Sequence, residues 1–229
     1  MKHSTNRRDF LGKMITGAAI LGMPSFAPMG VQEASGQEGM RLSTDSVENW
    51  LNKIKGKHRI VLDVTRPHEI FPFAWAKVFL LTNQATGATE KDCCAVVVLR
   101  HDAIPYAMKN ELWEKYKFGE MFKADDPKTM TPATRNPFWE PKPGDFSVPG
   151  IGNVEIGINE LQASGVLFCV CNMAITVYSA IMAQKMSLDP QMVKKEWIDG
   201  LLPGVQLVPS GMWAIGRAQE RNCGYCFAG

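Results

Sequence analysis

The chain has 229 residues, of which 45% are hydrophobic and 21% are charged, and its formal net charge is +2. This length accommodates one medium domain with its own hydrophobic core, and the composition is typical of a soluble globular protein. The nearly balanced charge provides no global field that would attract nucleic acid, so we expect no nucleic-acid partner.

The N-terminal segment has the pattern of a targeting signal. Arg7 and Arg8 precede Phe10 and Leu11, and a short apolar run follows at 14–23. This order resembles a twin-arginine export signal and is too short for a comfortable membrane span. We expect residues 1–36 to be a signal and linker that directs the folded protein to the twin-arginine translocase and the periplasm.

The cleavage site of this signal is not defined by the sequence. The small residues at 25–27 precede a proline, and those at 34–36 match the cleavage pattern weakly. An uncleaved signal that anchors the protein to the membrane is therefore the alternative. We assign residues 37–57 to an N-terminal extension and 58–229 to the folded domain.

Beyond residue 56, segments with strand and helix patterns alternate. The predicted strands cover 56–67, 93–100, 166–171 and 205–210, with a short extended piece at the C-terminus. The predicted helices cover 71–85, 104–116, 154–165, 173–186, 189–201 and 211–222. This alternation predicts an α/β fold with a mostly parallel sheet of about five strands, in which ligands bind at the carboxyl ends of the strands.

A proline-rich insertion interrupts the alternation between residues 119 and 150. Its six prolines exclude a regular helix or a central strand. Phe138 and Trp139 favour an ordered arm, because exposed aromatic residues in a flexible linker would promote aggregation. Such an arm would serve as a lid or as an interface.

The order of elements from His58 to Gly229 resembles the DsrE family of flavodoxin-like sulfur-handling proteins. The supporting segments are ELQASGVLFCVCNMAI (160–175) and GVQLVPSGMWAIGRAQERNCGY (204–225). The resemblance implies a flavodoxin-like three-layer fold that assembles into homo-oligomers. Members that carry sulfur use a cysteine at the strand end of the first segment, and Cys171 falls on that position.

The position of Cys171 in the predicted fold also favours a reactive thiol. It closes a predicted strand and precedes a helix, where backbone N–H groups and the helix dipole favour a thiolate. This placement suits a persulfide carrier or a redox thiol. Inert packing is the alternative, for Cys171 and still more for Cys169, because cysteine is often buried.

Two polar groups are predicted at the same carboxyl edge of the sheet. Arg100 and His101 follow the second strand, so His101 could act as a base and Arg100 could bind an oxyanion. The alternative is a solvated strand end with Asp102 as a helix cap. Arg66 and His68 follow the first strand and form a second candidate ligand-binding group.

The motif at Cys223 and Cys226 follows a predicted helix, whereas a thioredoxin-type pair opens one. Position 227 is not histidine, and no further ligands stand at zinc-finger spacing, so we predict neither haem nor metal. A local disulfide is favoured in an oxidising compartment, with a resolving thiol for Cys171 or free cysteines as alternatives.

Cys93 and Cys94 begin the second strand, about 20 Å from the expected position of Cys171, and core packing is preferred for both. A flavodoxin-like strand order 2-1-3-4-5 would place them at the opposite edge of the sheet from the C-terminal tail.

Three functional hypotheses follow. The first is an exported DsrE-like protein that carries sulfur or senses redox state through Cys171, exchanging with a sulfur-donor or sulfur-acceptor protein. The second is a non-enzymatic oligomeric assembly module that uses the arm, and the third is a thiol oxidoreductase using Cys223 and Cys226. No glycine-rich phosphate loop follows the first strand, so no nucleotide or flavin cofactor is predicted.

Overall fold

A computed structural model describes residues 44–229 of the chain. The export signal predicted at 1–36, and residues 37–43 of the predicted extension, lie outside the described residues. Within the described part, no helix combines the length and apolar character needed to cross a membrane.

The described chain contains nine strands and eight α-helices. The strands are β1 (His58–Val64), β2 (Cys93–Leu99), β3 (Asp125–Asp126), β4 (Thr131–Pro132), β5 (Ser147–Val148), β6 (Gly152–Asn153), β7 (Leu167–Cys171), β8 (Val205–Val208) and β9 (Gly224–Phe227). The helices are α1 (Thr44–Leu51), α2 (Phe71–Ala85), α3 (Asn110–Tyr116), α4 (Phe118–Phe122), α5 (Ile158–Ala163), α6 (Asn172–Met186), α7 (Pro190–Asp199) and α8 (Gly211–Glu220). Two 3₁₀ segments, Glu90–Asp92 and His101–Ala107, flank β2.

The five long strands form one parallel sheet in the order β8-β7-β2-β1-β9. Helices cover both faces, so the predicted flavodoxin-like three-layer α/β fold is confirmed. The register aligns the carboxyl ends of the central strands, with Leu99 paired to both Val64 and Val170. Residues that follow these strands therefore meet at one edge of the sheet.

Side chains alternate between the two faces of the sheet and divide the interior into two cores. The first core contains Val61, Val96 and Cys169 and is covered by α1 and α8. The second core contains Leu62, Val97 and Phe168 and is covered by helices α2 to α7 and by the arm.

The strand order differs from the 2-1-3-4-5 order considered from the sequence. Helix α8 connects β8 at one edge of the sheet to β9 at the other, so β9 pairs with β1. Cys94 and Cys223 consequently lie in the same core rather than at opposite edges. Only β1 lies between β2, which contains Cys94, and β9, which begins directly after Cys223.

Helices with local start signals begin where the sequence predicts. Helix α2 spans exactly the predicted 71–85 with Pro72 in its first turn, and Asp189 caps α7 by accepting the N–H of Met192 at 2.8 Å. The predicted helix at 104–116 is instead a 3₁₀ segment followed by α3, since Met108 and Lys109 have extended backbone. The predicted helix at 154–165 shortens to α5 because Val154 donates to Phe146 in the neighbouring arm.

The arm at 119–150 is an ordered part of the domain. Phe138 is fully buried, with its ring 4.2 Å from that of Phe73 and 5.3 Å from that of Tyr106. Gly119 permits the close return of the chain, because a Cβ atom there would lie 2.3 Å from the carbonyl oxygen of Ala133. Phe138 therefore belongs to the core of its own chain and is not available as an interface residue.

Candidate functional site

Cys171 lies at the junction of β7 and α6, as the sequence predicts. It is the N-cap of α6, and its Sγ accepts a hydrogen bond from the backbone N–H of Ala174 at 3.3 Å. The residue is buried, with 6% of its surface exposed. The helix N-terminus and this donated N–H both contribute positive electrostatic potential at the sulfur.

Arg100 lies beside Cys171 because the ends of β2 and β7 are adjacent in the sheet. Its guanidinium forms a bidentate ion pair with Asp63, with Nε–Oδ1 at 2.6 Å and Nη2–Oδ2 at 2.9 Å. These bonds raise the pKa of Arg100, and Tyr225 and Cys171 lie close enough to interact with it electrostatically. Arg100 is therefore a fixed cation whose field reaches the thiol.

Asp63 connects this cation to the last strand. Its side chain is 2% exposed, and Oδ2 also accepts a hydrogen bond from the hydroxyl of Tyr225 at 2.8 Å. That bond is the main cause of the raised pKa of Tyr225. The buried carboxylate thus has three donated hydrogen bonds, two from Arg100 and one from Tyr225.

The start of α8 completes this side of the site. Ser210 caps the helix by accepting the N–H of Trp213 at 3.1 Å. The next residue, Gly211, packs against the stem of Arg100, where a Cβ atom would lie 2.7 Å from the Arg100 Cβ. The absence of a side chain at Gly211 lets Arg100 extend toward Asp63.

His101 lies next to Asp102 and Tyr178. Its Nδ1 lies 3.2 Å from Oδ2 of Asp102, and its ring contacts Tyr178 edge-on at 5.9 Å. The hydroxyl of Tyr178 donates to Asp102, and burial followed by this bond raises the pKa of Tyr178. Asp102 does not cap the 3₁₀ segment. A role of His101 as a base for Cys171 stays a prediction.

Arg66 and His68 lie beyond the carboxyl end of β1, as the sequence predicts. Both are exposed, and the His68 ring contacts that of Phe71 at 5.1 Å. His68 lines a separate pocket formed with the arm, whose lining does not include Arg66. Ligand binding by Arg66 together with His68 stays a prediction.

The disulfide predicted between Cys223 and Cys226 is not formed. Both residues are free cysteines, and they contact different cores. Cys223 is buried in the first core with Cys94, whereas Cys226 packs against the second core. The core packing preferred for Cys94 is confirmed, and Cys93 packs partly buried on the second core.

We expect iodoacetamide to alkylate Cys226 before Cys223 in the folded protein. Burial, assisted by the neighbouring Cys94, raises the pKa of Cys223 to about 11, so it is protonated near neutral pH. Its alkylation rate should rise about tenfold per pH unit as the pH increases toward that value. Peptide mass spectrometry of timed samples measures both rates. Protection of both thiols that is released only by a reductant would instead demonstrate the disulfide.

Sequence reasoning missed Asp63 and Tyr225. The signal for Asp63 was a charged residue within the buried run RIVLDV, since such residues are rarely buried without a partner. Tyr225 reaches Asp63 only because β9 pairs with β1, a long-range pairing that the local sequence does not signal. Across residues 44–229, no cluster of three or more His, Cys, Asp or Glu side chains is arranged to hold a metal ion.

No family model matches the chain, and no curated protein matches it. Among solved structures, a protein of unknown function from Methanobacterium thermoautotrophicum is similar, with 16% identity and a TM-score of 0.38. The match covers 74% of this chain and 98% of the other.

Proposed function

We propose that the protein carries sulfur as a persulfide on Cys171. The observation that carries this proposal is the position of the Cys171 sulfur, which accepts the N–H of Ala174 at the start of α6 and lies in the field of Arg100. The resemblance of 160–175 and 204–225 to the DsrE family supports the same role.

The chemistry transfers one sulfur atom without net oxidation. The Cys171 thiolate attacks the outer sulfur of a donor persulfide, a new S–S bond forms on Cys171, and the donor's S–S bond breaks. The donor leaves as a thiolate, and an acceptor thiolate later removes the sulfur by the same step in reverse. A persulfide ionises more readily than a thiol, so the backbone N–H and Arg100 would stabilise the loaded form.

Asp63 makes Arg100 a positioned donor rather than a mobile side chain. Two of its N–H groups are engaged by Asp63, while its Nη1 group forms no hydrogen bond within the described residues. That group remains free for a negatively charged sulfur species. The half-exposed ring of Tyr225 lies beside this donor.

The cellular context is part of the proposal. The twin-arginine pattern supports export to the periplasm after folding, or anchoring by an uncleaved signal. A sulfur-donor or sulfur-acceptor protein and further copies of the chain are the proposed partners.

A specific surface favours assembly as the second candidate function. Met173, Val177 and Ile181 are 46%, 52% and 50% exposed and follow one another at four-residue intervals along α6. They form one apolar stripe on the outer face of the helix. A stripe of this kind suits contact with another protein surface.

Persulfide-sensitive mass spectrometry tests the first candidate. We expect the full chain, after exposure to a low-molecular-weight persulfide, to carry one extra sulfur on Cys171 that a Cys171→Ser protein lacks. The matched control is Cys226→Ser, which removes a partly exposed thiol away from Arg100 and should leave the labelling unchanged.

Labelling confined to Cys226, or no labelling at all, would refute the carrier role. In that case a fall in the mass of an oligomer on Ile181→Asp, measured by light scattering, would support the assembly role. Retention of Cys171 labelling in Ile181→Asp would show that the two functions are independent.

A further inference from the structure

The pocket lined by His68, called the arm pocket below, lies at the carboxyl end of β1, between the residues that follow this strand and the beginning of the arm. It has a volume of about 280 Å³. Its polar lining residues are His68, Glu69, Tyr106, Lys123 and Asp125. The pocket is separate from the site at Cys171, and its existence depends on the arm.

The charged groups around this pocket are not used by the fold. The side chains of Glu69, Lys123 and Asp125 form no hydrogen bond or ion pair within residues 44–229, and the His68 ring makes only an aromatic contact. Two carboxylates and one ammonium therefore converge on one cavity without neutralising each other at hydrogen-bond distance. Convergent polar groups in a concave site are the usual features of a ligand pocket.

Tyr106 distinguishes this pocket from an ordinary charged surface. The residue is only 1% exposed, and its ring is held by Phe73, Trp113 and Phe138. Its hydroxyl nevertheless forms no hydrogen bond within the described residues. Because Tyr106 lines the pocket, this hydroxyl can donate to a ligand that binds there.

Burial and the nearby Asp125 raise the pKa of Tyr106, so its hydroxyl stays protonated at neutral pH. It is therefore available as a hydrogen-bond donor. A donor held this rigidly loses little conformational freedom when a ligand binds.

We propose that this pocket binds the head group of a small zwitterion of the α-amino acid class. Lys123 and the hydroxyl of Tyr106 would receive the carboxylate, with His68 as a further donor. Glu69 and Asp125 would receive the ammonium group. Pro67, Pro127 and Met130 complete the lining and would contact an aliphatic side chain.

The charge arrangement favours a zwitterion over a ligand with a single charge. A plain anion would be repelled by Glu69 and Asp125, and a plain amine would leave Lys123 and the Tyr106 hydroxyl unpaired. The volume lies near the lower end of the range for ligand pockets, which suits an amino acid rather than a nucleotide.

Isothermal titration calorimetry of the full chain with L-alanine and L-methionine tests the proposal. We expect binding of at least one of them, and binding about tenfold weaker for the matching N-acetyl amino acid and methyl ester, because each lacks one charge. Lys123→Ala and Tyr106→Phe should each weaken binding by about tenfold as well. The control is Lys185→Ala, which removes an exposed lysine at the end of α6 and should change nothing.

Thermal melting followed by circular dichroism verifies that Tyr106→Phe, which keeps the buried ring, remains folded. The proposal is overturned if neither amino acid binds at millimolar concentration, if the N-acetyl and ester forms bind equally well, or if Lys123→Ala leaves the Kd unchanged. Cys171→Ser should bind the amino acid normally, so failure here is distinguishable from failure of the sulfur-carrier role.

Discussion

Replacing Asp63 with asparagine is expected to lower the free energy of unfolding by about 3 kcal/mol. The substitution keeps the shape of the side chain but removes the charge that neutralises Arg100, whose side chain is only 26% exposed. A partly buried guanidinium would then lack its ionic partner, and the Tyr225 hydroxyl would lose a charged acceptor. Urea denaturation followed by circular dichroism measures the change.

Asp199→Asn is the matched control for this loss. Asp199 pairs with Lys195 on the outside of α7, where the two side chains are 60% and 76% exposed. Removal of such a pair should change the free energy of unfolding by about 0.5 kcal/mol or less. A similar small value for Asp63→Asn would show that the Asp63 carboxylate does not hold Arg100 in place.

The same substitution links stability to the proposed function. If Arg100 loses its bidentate partner, its position beside Cys171 is no longer fixed. We therefore expect Asp63→Asn to reduce persulfide labelling of Cys171 in protein that is still folded, whereas Asp199→Asn should not.

Half of this site was predictable from the sequence. Arg100 and Cys171 each follow a buried strand, and the carboxyl ends of parallel strands share one edge of a sheet. The pairing with Asp63 was not predictable, because it depends on the register of β1 against β2 and on which face each side chain takes. Tyr225 depends on a still longer-range feature, the crossing of α8 that places β9 beside β1.

The helices also differ in whether local residues or distant contacts determine them. Helices α2 and α7 were predicted well because Pro72 and Asp189 act within the first turn of each helix. The segments at 104–116 and 154–165 were predicted wrongly because contacts from the arm decide their structure. Asn136 in the arm donates to the backbone carbonyls of Tyr106 and Met108, and Val154 bonds to Phe146.

A single substitution in the arm should also strongly lower the stability of the protein. Phe138→Ala is expected to lower the free energy of unfolding by about 3–4 kcal/mol, because the ring is fully buried and stacks on Phe146 at 5.1 Å in addition to its contacts with Phe73 and Tyr106. Urea denaturation measures the loss, and limited proteolysis should show new cleavage within 119–150.

Phe227→Ala removes an equal ring that is 55% exposed and provides the control, with an expected loss of about 1 kcal/mol or less. Equal losses for the two substitutions would mean that the arm does not contribute to the core. Tyr106 contacts Phe138 and also lines the arm pocket. Phe138→Ala should therefore weaken amino acid binding in that pocket while leaving sulfur loading of Cys171 unchanged. That pattern would separate the pocket supported by the arm from the thiol site at the sheet edge.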